Sequence, residues 1–408
     1  MAKNKNGFWE LLILIATIIF STPILNRSSY LALVCVALWI YMLVSNNLLS
    51  AHRNAKLTVS AVLFLGIVFG YRFIGYSDAA WGNYLNQLCF YTCMLFMIMF
   101  QKGGHLNKFF LLAIWGVLVF NIVDNIFLSY LYPELNYARL YQEEDFLQSI
   151  NAGGPSFYMF VLFVFNICFF VFLNCKFKSL RFLMLASCIL SATYILGFCY
   201  KGITVIFFFF SLVSIYYAKR TKKTSLFVVV SLSLFLLTFV MVQLFSDALV
   251  DTIKAVSPNE RLTARLVGLI NADDVEADTS SATSRTHLYI MSIKTWLSDI
   301  SNIVYGIGDH RVQFGAAQTG ISQHSDLLDI LPIYGLVGLV FIWIIFKNAY
   351  KIIVSYFDNE YKLQVSTILM LFVLYGLVEK IFYPMAGCVV FLLLPLSANL
   401  VNKNIMKR

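Results

Sequence analysis

Long apolar runs separated by short polar punctuation dominate this chain, and few of them show the alternating faces of helices around a soluble core. A helix rises 1.5 Å per residue, so crossing roughly 30 Å of hydrocarbon takes about twenty apolar residues. Segments of that kind fall at 8–25, 30–49, 57–73, 81–100, 109–131, 156–173, 182–200, 202–218, 226–245, 327–346, 365–381 and 384–401. The pattern predicts an all-α polytopic membrane protein with about twelve transmembrane helices. Residues 1–408 form one integral membrane domain on this reading. The shortest connection, at Lys201 and Gly202, divides the seventh span from the eighth.

Basic residues test the topology. With the N-terminus in the cytoplasm, the cytoplasmic connections hold Lys3 and Lys5, Arg53 and Lys56, and Lys102 and Lys108. They also hold the groups around Lys176 to Arg181, Lys219 to Lys223, Lys347 to Lys362 and Lys403 to Arg408. That excess matches the positive-inside bias. Merging the seventh and eighth spans would put Lys219, Arg220, Lys222 and Lys223 outside, so the divided arrangement is preferred. Both termini are then cytoplasmic, in a multi-pass membrane protein.

Most acidic residues fall in two outer stretches, a smaller loop at 132–155 and a large extracytoplasmic loop at 246–326. These are the long segments without a spanning pattern, so aqueous chemistry belongs there. The apolar run 11–20 follows Lys3 and Lys5 as in a signal sequence, but Ser21, Thr22, Pro23 and Ile24 form no small-x-small cleavage site. It reads as a retained span. No internal repeat is evident, and the large loop lacks a counterpart in the first half, which argues against an inverted-repeat transporter.

Composition agrees: 60% of residues are hydrophobic and 12% charged, against about a quarter charged in soluble domains. The net charge of +9 lies in clusters between apolar runs, not along one aromatic-laced face, and nucleic acid is therefore not an expected partner. None of the eight cysteines stands at a zinc-like spacing from histidine, so neither a disulfide framework, a metal site nor a cofactor is expected. Cys89 and Cys93, four residues apart, read as small apolar side chains on one helix face.

Candidate chemistry gathers in the larger loop. Leu288, Met291, Ile293, Trp296, Leu297 and Ile300 recur at three- and four-residue spacing against Lys294 and Asp299, which predicts an amphipathic helix after Ser284. Arg285 falls in its first turn, where a cation is unfavourable with the helix dipole unless an anion docks there too. A solvated surface arginine is the competing reading. Tyr305, Gly306, Ile307 and Gly308 form a turn whose glycines permit close backbone approach, followed by Asp309, His310 and Arg311.

His324 stands at the mouth of the tenth span, where an imidazole could act as general base on a hydroxyl or simply bond headgroups and backbone. Asp326, two residues on, would not share its helix face, so no dyad is inferred. Lys201 lies between two apolar spans and can snorkel, or join Arg285 in lining a site for a polyanionic, lipid-attached headgroup. The acidic groups Asp273, Asp274, Glu276, Asp278 and Glu143, Glu144, Asp145 read as solvated loop. Divalent-metal chemistry with nucleotide sugars belongs in the cytoplasm, and both groups are expected outside.

Ser284-Arg285, the helix with Trp296, the Tyr305 to Gly308 turn, His324 to Ile330 and Tyr334 to Gly338 together resemble the signature region of the O-antigen polymerase and O-antigen ligase superfamily. The resemblance in order and spacing covers 284–346; elsewhere it is one of topology. Tyr200-Lys201-Gly202 also resembles a position where the family often carries arginine, and lysine there lacks the planar fork for bidentate phosphate binding.

The resemblance implies a metal-independent, type C glycosyltransferase-like protein that takes glycans from undecaprenyl diphosphate. In that scheme Arg285 and His324 are catalytic: Arg285 binds the diphosphate and stabilises it as leaving group, while His324 orients or deprotonates the acceptor hydroxyl. Lys201, Arg311 and Asp326 bind substrate. The expected function is a polymerase that joins lipid-linked oligosaccharide repeats into O-antigen or capsular or exopolysaccharide at the outer face of the bacterial plasma (inner) membrane. Its expected partners are the undecaprenyl-diphosphate-linked oligosaccharide, membrane lipids and a chain-length regulator protein. The ligase branch would pass the glycan to lipid A core. A lipid-linked oligosaccharide flippase has similar length but usually carries charges inside its bundle, where Asp124 is the clearest candidate here. A non-catalytic scaffold leaves Arg285 and His324 without a role.

Overall fold

The structure is a computed structural model. It describes residues 52–77, 81–100, 108–135, 156–199, 202–221, 285–309 and 325–402, with a few isolated positions elsewhere. All regular elements among the described residues are helical: α1 (His52–Phe73), α2 (Trp81–Phe100), α3 (Lys108–Leu131), α4 (Ser156–Asn174), α5 (Lys178–Phe198) and α6 (Gly202–Arg220). There follow α7 (Arg285–Leu297), α8 (Ile300–Tyr305), α9 (Asp326–Val354), α10 (Lys362–Gly376), α11 (Pro384–Gly387), a π-helical turn (Cys388–Leu393) and α12 (Leu394–Val401).

Six of these helices contain stretches long and apolar enough to cross a membrane: Ala55–Phe73, Leu112–Leu131, Ser156–Asn174, Lys178–Phe198, Ile203–Arg220 and Asp326–Val354. Lys362–Gly376 and Val389–Val401 are shorter apolar segments. The spans expected at 8–25, 30–49 and 226–245, the loop acids at 143–145 and 273–278, and most of both loops lie outside the described residues, isolated positions aside.

The sequence of α4, SFYMFVLFVFNICFFVFLN, is apolar on every side, and its buried residues run from Phe157 through Cys168 without a gap. A helix with no polar face belongs inside a bundle, and α5, α6, α10 and α12 pack around it. Three bonds mark one end of that bundle. Lys219 Nζ, near the end of α6, donates to the Leu173 carbonyl. Asn174 Nδ2 donates to Gln364 Oε1 (2.9 Å), and Asn402 Nδ2 to the Tyr356 carbonyl (2.7 Å).

At the opposite end the Thr204 hydroxyl pairs with Tyr375 Oη (3.0 Å) and Ser325 Oγ donates to the Gly376 carbonyl (3.0 Å). The chain therefore reverses between Phe198 and Gly202, so α5 and α6 are two antiparallel helices. That agrees with the division expected at Lys201. Charge is uneven between the ends: Lys56, Lys176, Lys178, Lys219, Lys351 and Lys362 outnumber Asp358 and Glu360 at the first, whereas Asp299, Asp309, Asp326, Asp329 and Glu379 gather with Lys380 at the second.

Three elements depart from their sequence-based bounds. The apolar count stops at Phe346, yet α9 continues to Val354, because Lys347 turns its ammonium over the Trp343 ring (4.1 Å) instead of ending the helix. Helix α10 stops at Gly376, short of Ile381, and the segment 377–383 leaves the helix as an irregular strap. In the last span, Pro395 has no N–H and crowds the carbonyl four residues back. The ladder widens there into a π turn, with Leu394 N–H bonded to the Val389 carbonyl.

Helix α9 also breaks at Gly335 (φ 62°, ψ −159°), just after Pro332. The break frees two carbonyls, and the turn after α8 meets them: Ile307 N–H bonds the Pro332 carbonyl (2.7 Å) and Gly308 N–H the Ile333 carbonyl (3.1 Å). Gly306 and Gly308 are themselves left-handed, at φ 77° and 79°. A Cβ on Gly335 would fall on the Val304 carbonyl, and one on Gly308 on the Tyr76 carbonyl. Gly335→Ala thus combines a left-handed alanine, about 1–2 kcal/mol, with a backbone collision. It is expected to lower the thermal midpoint of the detergent-purified protein or prevent recovery of a monodisperse form. An unchanged midpoint would show that the α8–α9 contact is slack.

Candidate polar site at the Asp326 end of the bundle

Helix α7 forms as its apolar spacing predicts, beginning at Arg285. Its packed face is Met291, Ser292 and Thr295, all buried, while Ile290, Ile293, Leu297 and, beyond the helix end, Ile300 stand exposed. The expected apolar stripe is therefore split, with Met291 packed inward and Ile293, Leu297 and Ile300 pointing away from the protein beside Ile290 and Lys294, a mix that suits the interfacial layer of a bilayer. The inner face is polar because of what it meets: Ser292 Oγ donates to Asp329 Oδ1 (3.0 Å), and Tyr289 Oη to the Val378 carbonyl on the strap (2.9 Å). Trp296 Nε1 donates to the Ile303 carbonyl (3.1 Å), holding α7 against α8.

The first turn of α9 is the centre of this end. Ser325 caps the helix by accepting Leu328 N–H (3.0 Å) while its hydroxyl hydrogen goes to Gly376. Asp326 and Asp329 follow in that turn, where the helix dipole favours anions. Asp326 Oδ2 accepts both Ile381 N–H (2.5 Å) and Phe382 N–H (2.6 Å), which satisfies strap donors that have no helical partner. On the far side Tyr71 Oη donates to the Tyr305 carbonyl (2.6 Å) and Tyr76 Oη to the Gly306 carbonyl (2.6 Å), tying α1 to the same turn. Asp299 caps α8, and hydrogen bonds from the Ser301 side chain and backbone hold its carboxyl below the usual carboxylate range.

Between these elements lies a cavity of about 100 Å³. Its polar lining includes Asn86 and Gln87 from α2, Asp309, Asp326 and Asp329, and Lys380 from the strap. Tyr334, also on its wall beside Gln87, is buried, with its ring edge-on to Phe64 (5.4 Å). Gln87 Oε1 is buried without a donor among the described residues. Among the described residues no cluster of His, Cys, Asp or Glu has the arrangement to hold a metal ion. What remains is a set of acceptors with one ammonium and amide donors, a lining suited to hydroxyl groups, which both donate and accept.

No protein-family model and no curated protein matches the chain. The site therefore has to be read from its own residues.

Arg285 is the first residue of α7, and that helix docks on α9 and the strap. His324, Lys201 and Arg311 lie outside the described residues, Arg311 together with both its neighbours, whereas Ser325 and Gly202, each adjacent to one of the other two, are described. Ser325, next to His324, caps α9 at this end, and Gly202, next to Lys201, opens α6 two residues before Thr204 meets Tyr375. Asp326 lines the cavity directly and also pins the strap. Sequence reasoning missed Gln87, Asp329, Tyr334 and Lys380. Asp329 and Lys380 carried a signal, since charges at the edge of an apolar span rarely stand there without a partner. Tyr334 stood in the Tyr334 to Gly338 segment already singled out but was given no role there, and Gln87 carried no signal, being an ordinary residue within an apolar helix.

Proposed function

We propose that this protein is a metal-independent glycosyltransferase of the polymerase kind, joining undecaprenyl-diphosphate-linked oligosaccharide repeats at the outer face of the plasma membrane. One observation carries the reading: the helix that starts at Arg285, the cap residue next to His324 and a cavity with a polar lining meet at one end of a helical bundle. The charge asymmetry between the two ends supports the orientation, because the lysine-rich end is the one expected in the cytoplasm. The exposed stripe on α7 suits a helix seated where a polyprenyl chain leaves the bilayer.

In this scheme the acceptor hydroxyl oxygen forms a bond to the anomeric carbon of the donor glycan. The bond from that carbon to the diphosphate oxygen breaks, and undecaprenyl diphosphate leaves with the electron pair. The hydroxyl proton passes to His324, and the Arg285 guanidinium pairs with the charge that develops on the diphosphate. Lys201 and Arg311 add cationic contacts to the diphosphate. The cavity bordered by Gln87, Asp326, Asp329 and Lys380 holds sugar hydroxyls beside this centre.

Reconstitution separates this reading from a flippase. Purified protein in liposomes supplied with undecaprenyl-diphosphate-linked repeats should yield glycans of two or more repeats with no divalent metal added. Translocation of single repeats without bond formation would overturn the transferase reading.

A further inference from the structure

We infer that the opposite end of the bundle carries a binding groove for the phosphate headgroup of an anionic glycerophospholipid. The groove encloses about 490 Å³ and is lined by Lys56, Lys351 and Lys362 together with Asn348, Tyr350 and Ser355. Its lysines come from three separate helices, near the start of α1, in the last turn of α9 and at the start of α10, so only the folded bundle assembles them. Among the described residues, no carboxylate lines it. Lys362 Nζ is held by Asn359 Oδ1 (2.7 Å), a neutral partner that leaves its charge uncompensated by that bond.

The end of a helix is ordinarily a poor place for an anion. Here Ser355 N–H and Oγ both occupy the last carbonyls of α9, the N–H bonding Lys351 and Ile352 and the hydroxyl bonding Ile352 (2.7 Å). The starts of α1 and α10 contribute the favourable dipole ends.

A soluble phosphate would explain the lysines alone, but the groove has a second feature. Tyr350, which lines it, begins an exposed strip along α9 in which Trp343, Val340 and Leu336 follow at seven-, three- and four-residue spacing, with the Lys347 ammonium laid over the Trp343 ring. Ammonium groups at one end and a lipid-facing apolar lane running from them match a molecule with a phosphate head and acyl tails. A basic pocket between helices at the cytoplasmic boundary is the usual form of such a site. This inference stands apart from the transferase reading, since it involves the other end of the bundle and none of the residues assigned to chemistry.

The test uses the detergent-purified full-length chain, with lipid retention read by native mass spectrometry. Phosphatidylglycerol should be retained in preference to phosphatidylcholine of the same acyl chains. The preference should fall by about fivefold for each of Lys56→Gln, Lys351→Gln and Lys362→Gln. The triple arginine variant should keep it, which separates loss of charge from loss of fold, and Lys176→Gln with Lys178→Gln, at the same end but outside the groove, should leave it unchanged. Equal retention of both lipids, or a preference that survives the triple glutamine variant, overturns the proposal. So does inorganic phosphate displacing the lipid at equal concentration, which would mark a site for free anions.

Discussion

Arg285→Ala and His324→Ala should each abolish chain extension while leaving a protein that inserts and purifies normally. On the proposed mechanism both residues act on the transition state. A guanidinium facing the departing diphosphate works in a water-poor site, where removing one such charge partner typically costs 10²–10³-fold in rate or more. Loss of a general base costs a further 10²–10⁴-fold.

Fold stability discriminates this role from a structural one. Arg285 sits at the first position of α7, where its charge opposes the helix dipole, so its removal should leave the thermal midpoint unchanged or raise it slightly. Arg285→Lys should also be impaired, because an ammonium keeps the charge but loses the planar fork. The measurement is the glycan ladder made by a strain carrying each variant, alongside the amount of protein in the membrane. Full-length polymer from either alanine variant would remove that residue from the mechanism.

Asp326→Ala is expected to produce the largest loss of stability among single side-chain changes at this end. One carboxylate oxygen holds both Ile381 N–H and Phe382 N–H, and its removal orphans two donors at roughly 1–3 kcal/mol each. The strap they belong to also carries Lys380 into the cavity and offers the Val378 carbonyl to Tyr289. Its release should therefore loosen α7 as well, and activity should fall together with the thermal midpoint. Asp326→Asn keeps an oxygen in the same place and should lose much less stability. Equal midpoints for the alanine and asparagine variants would mean that the strap is held by other contacts.

The two variants also separate the two roles open to Asp326. The sequence suggests a substrate contact at this position, and the fold adds the anchoring of residues 381 and 382. If asparagine restores stability but not polymer formation, the carboxylate charge matters to substrate beyond its hold on the strap.

Much of the architecture was legible because lipid leaves the backbone no partner but itself. A segment must satisfy its own N–H and C=O groups over the whole hydrocarbon depth, so length and apolarity within a short window determine where a helix runs. That logic identified α1, α3, α4, α5, α6 and α9 and the reversal near Lys201, and the spacing of apolar residues identified the amphipathic helix after Ser284. It also located the chain positions around which the candidate site forms.

What the window could not contain is any feature made by residues distant in the chain. The strap at 377–383 looked like the end of a span because Ile381 is apolar, and it is released from helix only because a carboxylate 55 residues earlier in the chain takes its N–H. Gly335 is an ordinary residue of an apolar run until the α8 backbone needs its space. The cavity draws its walls from α1, α2, α9, the Asp309 turn and the strap, and no local pattern encodes that meeting. Helix positions followed from the solvent, whereas the breaks, the polar cavity and the lysine groove were decided by tertiary contacts, because each exists only when separate segments share one place.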